Sequence, residues 1–227
     1  MARTRTLLQL RSDVRVRADI ENATARFPDA ELTRYINQGI AELYDLLVDA
    51  RGMSYYRSAT PHSITTTAST VNYALPTAFY KLIGVRISNG PPLERFDALE
   101  EPEMARTEAE TSYPLYYDLR GSYIALRPYH EAGYVVLVEY VPHATELSAD
   151  VSTFDGINGW EEYVVAFAAR CCLIKDERLE LAGAMLQEME RLKSRIAGLA
   201  PNRDGYRPTR IRDARAHSSF IRPRWFR

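Results

Sequence analysis

The sequence predicts an α+β protein: an α-helical bundle built from the N- and C-terminal segments, an inserted antiparallel β domain and an extended C-terminal arm. Two changes in the spacing of apolar residues support this fold class. The spacing is helical, about 3.6 residues, up to residue 52 and again over 151–200, but it is about two residues in between. We therefore expect N-terminal helices (1–52), a β domain (53–150), C-terminal helices (151–200) and a basic arm (201–227).

The first fifty residues predict two helices. Leu7, Leu10 and Val14 have the spacing of a short helix, and residues 22–27 would connect it to a longer one. The longer helix is predicted to open at Pro28-Asp29, where the Asp29 side chain can cap it, and to stop at Gly52. Its apolar stripe consists of Leu32, Ile36, Ile40, Leu43 and Leu47.

Strand patterns dominate the middle of the chain. We predict strands over residues 71–75, 80–87, 116–119, 122–126 and 134–141. Arg120-Gly121 is expected to be the turn of a hairpin between the third and fourth of these strands. The acidic stretch 99–110 is expected to be a short exposed helix or a long loop.

Helical spacing returns near Asn158, which can cap a helix while Glu161 lies three residues further on, as in a capping box. The predicted apolar stripe consists of Trp160, Val164, Phe167, Cys171 and Ile174. After a polar break at 175–178, a short heptad pattern consists of Ala182, Met185, Met189, Leu192, Ile196 and Leu199. Pro201 ends it. Fewer than three heptads are too few for a free coiled coil, which favours packing within one subunit over a seam between subunits.

Motifs of catalysis and metal binding are missing from the sequence. It contains no Gly-x-Ser-x-Gly, phosphate loop, dinucleotide fingerprint or His-Glu-x-x-His. His62, His130, His143 and His217 are far apart, and the two cysteines, Cys171 and Cys172, are adjacent. We therefore expect no catalytic residues, no cofactor and no metal site.

Composition also excludes some classes of protein. The chain has 227 residues and is 46% hydrophobic, which is normal for a globular protein. No apolar run approaches the length of about 18 residues that a membrane span needs. The first residues lack the pattern of a secretory signal, so we expect the protein to fold where it is made and not to enter a membrane.

The arm has the most unusual composition of the chain. Residues 201–227 hold eight arginines, two acids and no lysine, a formal charge of +6, while the rest of the chain carries −7. We expect such a segment to order only on contact with a partner. The residues predicted to bind the partner are Arg207, Arg210, Arg212, Arg215, Phe220, Ile221, Arg222, Arg224, Trp225, Phe226 and Arg227.

Three roles are open for this arm. Arginines with aromatic residues suit a protein interface, where an aromatic anchor fills a pocket and arginines line its rim. The same residues suit nucleic acid, through phosphate contacts and base stacking, although the acidic body would steer the molecule poorly to DNA. A solvated tail without a partner would need neither Trp225 nor Phe226.

Four stretches resemble a known family. They are RVRAD at 15–19, FPDAELTRYINQGIAELY at 27–44, FDGINGWEEYVV at 154–165 and LAPNRD at 199–204. Each is similar to the helices of the head-to-tail adaptor proteins of tailed bacteriophages, the connector or tail tubular protein A type. The stretches flank the β segment, in which we recognise no motif.

The resemblance implies a structural protein of the phage neck. It would form a homo-oligomeric ring, usually twelve-fold, below the portal protein and grip the portal with its C-terminal arms. Its β domain would face a stopper or tail protein, and DNA would pass through the lumen without specific binding. The protein would lie in the virion, at the head–tail interface, and in the host cytoplasm during assembly. The alternative is a nucleic-acid-binding assembly factor that uses the basic arm.

Overall fold

The computed structural model describes residues 4–97, 113–128, 131–155 and 159–199, which form an α+β fold. The described residues contain four helices, α1 (Leu7–Arg17), α2 (Asp29–Arg51), α3 (Glu161–Lys175) and α4 (Leu179–Leu199). The strands are β1 (Thr4–Thr6), β2 (His62–Thr65), β3 (Asn72–Ala74), β4 (Phe79–Ile87), β5 (Glu94–Arg95), β6 (Tyr116–Arg120), β7 (Tyr123–Arg127), β8 (Val135–Pro142) and β9 (Thr153–Asp155). The acidic stretch 99–110, Asn158, His130, Pro201 and the whole arm lie outside the described residues.

The N-terminal helices have the predicted buried stripes. Leu7, Leu10 and Val14 are fully buried on α1, which starts with a capping box between Thr6 and Gln9. All five apolar residues predicted for α2 are buried, and α2 ends before Gly52, which has a φ of 81°. Since glycine adopts a positive φ without steric cost, it suits this helix end.

The predicted cap of α2 is wrong. Pro28 occupies the N-cap position, and no side chain caps the helix. Asp29 is instead the first helical residue, and its carboxylate accepts a 2.9 Å hydrogen bond from Arg15. Arg11 lies 3.0 Å from the other carboxylate oxygen. Asp29 therefore joins α1 to α2 because two arginines of α1 compete successfully for it.

The predicted stripe of α3 is wrong in part. Trp160 and Val164 are buried, but Cys171 is only half-buried and Ile174 is 43% exposed. The buried residues cover a much wider surface of the helix; they are Glu161, Tyr163, Val164, Val165, Ala166, Ala168, Ala169, Cys172 and Leu173. A helix that is packed on several sides is apolar nearly all round, so the spacing of its apolar residues does not identify one face. Helices α1, α2 and α4 all pack against α3.

Helix α4 buries most of its heptad residues within the same chain. Ala182, Met189, Leu192 and Ile196 are buried, whereas Leu199 is 55% exposed at the helix end. The helix packs against both α3 and α2. The favoured prediction, packing within one subunit, agrees with these contacts.

The strands form three small sheets, with orders β1-β9, β2-β8-β4 and β3-β7-β6-β5. All described pairings are antiparallel except β5 with β6. The predicted hairpin is confirmed: β6 and β7 pair across Gly121, which has a φ of 60°. Four short strands, β1, β2, β5 and β9, were not predicted from the sequence.

The sequence predicts that Tyr134, Val136, Val138 and Tyr140 share one face of the strand, and β8 keeps this alternation only over its first half. Val136 and Val138 are buried, as expected for one face, but Val141 is buried in place of Tyr140. The register of β8 with β4 shifts between Leu82 and Gly84, where β4 has one extra residue opposite Tyr140 and Glu139 of β8.

The apolar residues form two clusters. One joins the four helices and includes Leu147, with Phe154 packed against it. The other lies between the sheets and consists of Ile64, Val85, Leu93, Ile124, Leu126, Val136 and Val138. The segment between β8 and α3 therefore belongs partly to the helical core.

Candidate interaction surfaces

The eleven residues predicted to bind a partner all lie in the arm, outside the described residues. What the structure gives is the place where the arm begins. Helix α4 follows α3 after only three residues and packs against it, so the two helices run antiparallel. The arm therefore starts at the end of the helices where α3 begins.

The same end of the helices contains the end of α2. Tyr163, near the start of α3, donates a 2.6 Å hydrogen bond to Glu42, nine residues before the end of α2. The Arg51 guanidinium lies 4.9 Å from the ring centroid of Trp160, the residue that precedes α3. Arg51 and Trp160 are therefore neighbours, and Leu199 lies at the same end of the helical core because α3 and α4 run antiparallel.

A groove with tyrosine walls opens beside the end of α2. We call it the tyrosine groove; its volume is about 500 Å³, and its lining residues are Ile40, Leu43, Tyr44, Leu47, Tyr55, Tyr56, Pro142, His143, Ala144, Thr145, Leu147, Thr153, Phe154 and Asp155. Leu43 and Leu47 are buried members of the helical core, so the floor of the groove is apolar. Its walls come from the turn after α2 and from the segments that flank Leu147.

Aromatic rings hold the walls of the groove in place. The Tyr44 and Tyr56 rings meet edge to face, with centroids 5.2 Å apart, and the Tyr55 and Tyr56 centroids are 5.0 Å apart. Arg51 lies over the Tyr55 ring at 4.8 Å and donates a 3.3 Å hydrogen bond to the Tyr56 hydroxyl. Tyr55 is nevertheless 42% exposed, so it presents an apolar ring to a partner.

Tyr44 ties the groove to the β strands. Its hydroxyl donates a 2.8 Å hydrogen bond to the carbonyl of Pro142, the last residue of β8. Burial raises the pKa of Tyr44 to about 12, and neighbouring tyrosines add to this effect. The phenol is therefore a neutral, structural hydrogen-bond donor at physiological pH.

One carboxylate lines the groove, that of Asp155. A second, Asp45 of α2, is exposed next to Tyr80, whose ring centroid lies 6.2 Å from that of Tyr44. The Asp45 carboxylate accepts a hydrogen bond from the Tyr80 hydroxyl and thereby raises the pKa of Tyr80. A partner that combines an aromatic anchor with cations would meet matching groups here.

A second groove lies on the other side of the 143–146 segment. Its volume is about 760 Å³, and Thr33, Arg34, Asn37 and Gln38 of α2 line it. Asn37 also fixes the segment, because its amide donates to the Leu147 carbonyl and accepts from the Leu147 amide, both at 3.0 Å. The lining contains no tyrosine, phenylalanine or tryptophan, so this groove lacks the aromatic walls of the tyrosine groove.

The residues considered for chemistry do not converge. In the part of the chain that the structure describes, no group of three or more His, Cys, Asp or Glu could hold a metal ion. His62 lies in β2 and His143 beside the tyrosine groove, whereas both cysteines are free and lie on α3. Burial raises the pKa of the Cys172 thiol to about 12, which makes it a poor nucleophile. None of the described helices is long and apolar enough to span a membrane.

Sequence reasoning did not find the tyrosine groove. Tyr55-Tyr56 directly after a helix stop was a visible signal, but the groove needs Tyr44 of α2 and the 142–147 segment as well. Residues about 100 positions apart meet there, and no local pattern predicts such a meeting.

The match to a protein family identifies the class of this protein. It is a head-to-tail adaptor of a bacteriophage, a structural component of the virion that connects portal and tail components. More specifically, the chain belongs to the SU10 adaptor protein family, whose model matches residues 5–212. No curated protein matches the chain. The matched span ends within the arm, so Phe220, Trp225 and Phe226 lie beyond it.

Proposed function

We propose that the protein forms a ring below the portal in the phage neck and grips the portal with its C-terminal arms. The observation that carries this proposal is the family match over residues 5–212, which covers the helices, the strands and the first half of the arm. In this proposal the role is structural and requires no catalysis. The arm residues predicted from the sequence, from Arg207 to Arg227, would contact the portal.

The described residues support separate roles for the helical bundle and the β domain. The helical cluster and the strand cluster are separate cores, which fits a helical bundle (1–52 and 151–200) that carries an inserted β domain (53–150).

Ring geometry explains how a short arm could grip the portal. One arm orders on contact and loses conformational entropy, so its affinity alone is modest. Several arms on one ring bind together, and this multivalency raises the overall affinity by orders of magnitude, about 10²–10⁴-fold. We propose a twelve-fold ring, as the resemblance implies, with the β domain towards the stopper or tail protein.

The net charge fits a ring through which DNA passes. Outside the arm the chain carries a formal charge of −7. We propose that this acidic body keeps the lumen from binding DNA, since like charges repel at short range. The protein would assemble in the host cytoplasm and then remain at the head–tail interface.

Deletion of residues 207–227 tests the grip directly. We expect the shortened chain to keep its melting temperature, because these residues are rich in charge and poor in aliphatic side chains, and to lose binding to isolated portal. A protease should cut the arm in the free protein and spare it in the complex. Unfolding of the shortened chain, or undiminished portal binding, would contradict the proposal.

Point variants at the tip separate the portal grip from the alternative, a nucleic-acid-binding factor. Trp225→Ala should weaken portal binding by about 30-fold or more, as expected for a hot-spot aromatic residue. Arg222→Gln and Arg224→Gln should cost less, because salt screens charges at an interface rim. The alternative predicts the reverse order and a DNA affinity that falls steeply as salt is raised.

A further inference from the structure

The tyrosine groove and the arm have complementary chemistry. We propose that, before the adaptor meets the portal, the arm of the same chain folds back and places Trp225 and Phe226 in the tyrosine groove. The biological role as a resting position depends on the proposed portal grip. The contact itself is a property of the adaptor alone and can be tested without any portal.

Position is the first support for this contact. Leu199, the last described residue before the arm, lies at the same end of the helices as Arg51. The wall residues Tyr55 and Tyr56 follow Arg51 by only a few positions. Twenty-eight residues remain after Leu199, and an extended chain of that length spans about 90 Å. The tip can therefore reach the groove with slack.

Shape and surface are the second support. The groove volume of about 500 Å³ lies within the range of sites that enclose a compact ligand, roughly 300–1,000 Å³. Its apolar floor, Leu43 and Leu47, would remove an aromatic side chain from water. The exposed ring of Tyr55 offers an edge or a face, and aromatic pairs prefer such offset or edge-to-face geometry.

Charge is the third support. The arm carries +6 against −7 for the rest of the chain, and Arg222 and Arg224 stand directly before the tip. Asp155 lines the groove, so a carboxylate stands where a guanidinium group beside the docked tip would lie. The Arg51 guanidinium does not line the groove and lies against the Tyr55 and Trp160 rings.

Because the arm and the groove belong to one chain, a weak contact is sufficient. A short flexible connection gives an effective concentration in the millimolar range, about 1 mM. A contact that would be negligible between separate molecules is then populated within one chain. The portal would compete with the groove for the same aromatic tip, so the arm would be shielded from other partners until the portal is present.

Tryptophan fluorescence of the full-length adaptor tests the proposal. The chain has two tryptophans, and Trp160 is only 2% exposed, so a quencher that reaches tryptophan reports on Trp225. With the neutral quencher acrylamide, we expect both tryptophans to be protected in the wild type. Trp225→Phe assigns the signal, because it leaves Trp160 as the sole emitter.

Two groove variants should release the tip. Tyr55→Ala removes an exposed wall, and Thr145→Arg fills the groove from an exposed position, so both should fold normally. Each should shift the docking equilibrium towards the free arm by about tenfold or more, which is about 1.4 kcal/mol, and make Trp225 quenchable. Tyr123→Ala is the matched control, since Tyr123 is a 50% exposed tyrosine on β7.

The remaining outcomes would overturn the proposal. Full quenching of Trp225 in the wild type would show that the tip does not dock. Protection that persists in Tyr55→Ala and Thr145→Arg would place the tip at a different surface. Protection that disappears on dilution would assign the contact to the arm of a second copy. Since no portal is present, none of these results depends on whether the portal grip is correct.

Discussion

The phenol of Tyr163 on α3 donates a 2.6 Å hydrogen bond to the carboxylate of Glu42 on α2. Tyr163 is fully buried, whereas Glu42 lies at the surface. Burial is the main reason that the pKa of Tyr163 is raised, and the hydrogen bond to Glu42 adds to it. This contact fixes the relative height of α2 and α3.

Removal of this hydroxyl should destabilise the protein without changing its fold. Tyr163→Phe keeps the ring but leaves Glu42 to water, so we expect a loss of about 1–2 kcal/mol in the free energy of unfolding. Urea denaturation measures it. A double-mutant cycle with Glu42→Gln isolates the pair. A loss no larger than that of Tyr123→Phe, an exposed tyrosine, would show that the contact contributes nothing.

A close contact between Gly39 and Phe167 predicts that a side chain at position 39 destabilises the protein. A Cβ at position 39 of α2 would lie 3.2–3.4 Å from atoms of Phe167, including the latter's own Cβ, which cannot move away by side-chain rotation. Gly39→Ala should therefore destabilise the wild type, by about 1–3 kcal/mol from overpacking. In a Phe167→Ala background only the contact with the Cβ at position 167 remains, so the same change should destabilise the protein by less than it does in the wild type.

Gly183→Ala is the matched control for this prediction. Gly183 is a helical glycine of α4, and nothing lies within 4 Å of an added Cβ. We expect it to raise the free energy of unfolding by about 0.5–1 kcal/mol, measured by thermal or urea denaturation. If Gly39→Ala behaved like Gly183→Ala in the wild type, the proposed tight contact between α2 and α3 would be wrong.

The lowered pKa of Asp29 predicts that the free energy of unfolding falls at acidic pH. The hydrogen bond from Arg15 is the main reason that the pKa of Asp29 lies below its ordinary value of 3.8, and Arg11 contributes to the same shift. A lowered folded-state pKa stabilises the protein above pH 3.8, and this stabilisation is lost as the pH falls through the folded-state value. Asp29→Asn should lower the free energy of unfolding at neutral pH by about 0.5–1 kcal/mol. In acid, where Asp29 of the wild type is protonated, the variant and the wild type should be equally stable.

Urea denaturation of Asp29→Asn and wild type at neutral and acidic pH tests this. The difference between the two should also shrink at high salt, because the Asp29 side chain is 62% exposed. Glu21→Gln, a change at an exposed carboxylate between α1 and α2, serves as the control. If the difference in stability between Asp29→Asn and the wild type did not depend on pH, the ion pairs of Asp29 would not be its cause.

The raised pKa of Tyr44 predicts that the free energy of unfolding falls at alkaline pH. Its folded-state pKa is raised from 10.0 to about 12, mainly by burial, so its contribution to stability is complete below pH 10 and is lost as the pH rises towards 12. Tyr44→Phe should be about 1 kcal/mol less stable than wild type at neutral pH, through the lost hydrogen bond to Pro142. Between pH 10 and 12 this difference should close.

Denaturation curves across this alkaline range provide the measurement. Tyr123→Phe is the control, because Tyr123 is half exposed and should behave like wild type in the same range. If the difference in the free energy of unfolding between Tyr44→Phe and the wild type stayed constant from neutral pH to pH 12, folding would not raise the pKa of Tyr44.

The helices show how far periodicity predicts structure. The stripes of α1 and α2 were predicted because each helix buries one face against the core. The stripe of α3 was partly wrong, because three other helices surround α3 and Tyr163 and Cys172 are buried as well. A pattern with one apolar face is visible in sequence, whereas a helix packed on several sides hides its orientation.

Short strands show the complementary limit. Strand β1 has three residues, Thr4–Thr6, and becomes a strand through its pairing with β9, about 150 positions away. A three-residue segment has no period to detect. The partner that satisfies its backbone hydrogen bonds is a product of the fold.

By itself the sequence determined the fold class, the two terminal helical regions, the hairpin at Gly121 and the charge contrast between body and arm. These features depend on spacing, turn chemistry and composition, which are local properties of the chain. Only the tertiary structure decided that Asp29 binds two arginines instead of capping α2, and that Tyr44, Tyr55 and Tyr56 meet the 142–147 segment in one groove. Those outcomes depend on which distant side chains compete for the same partner in space, and no local pattern records that competition.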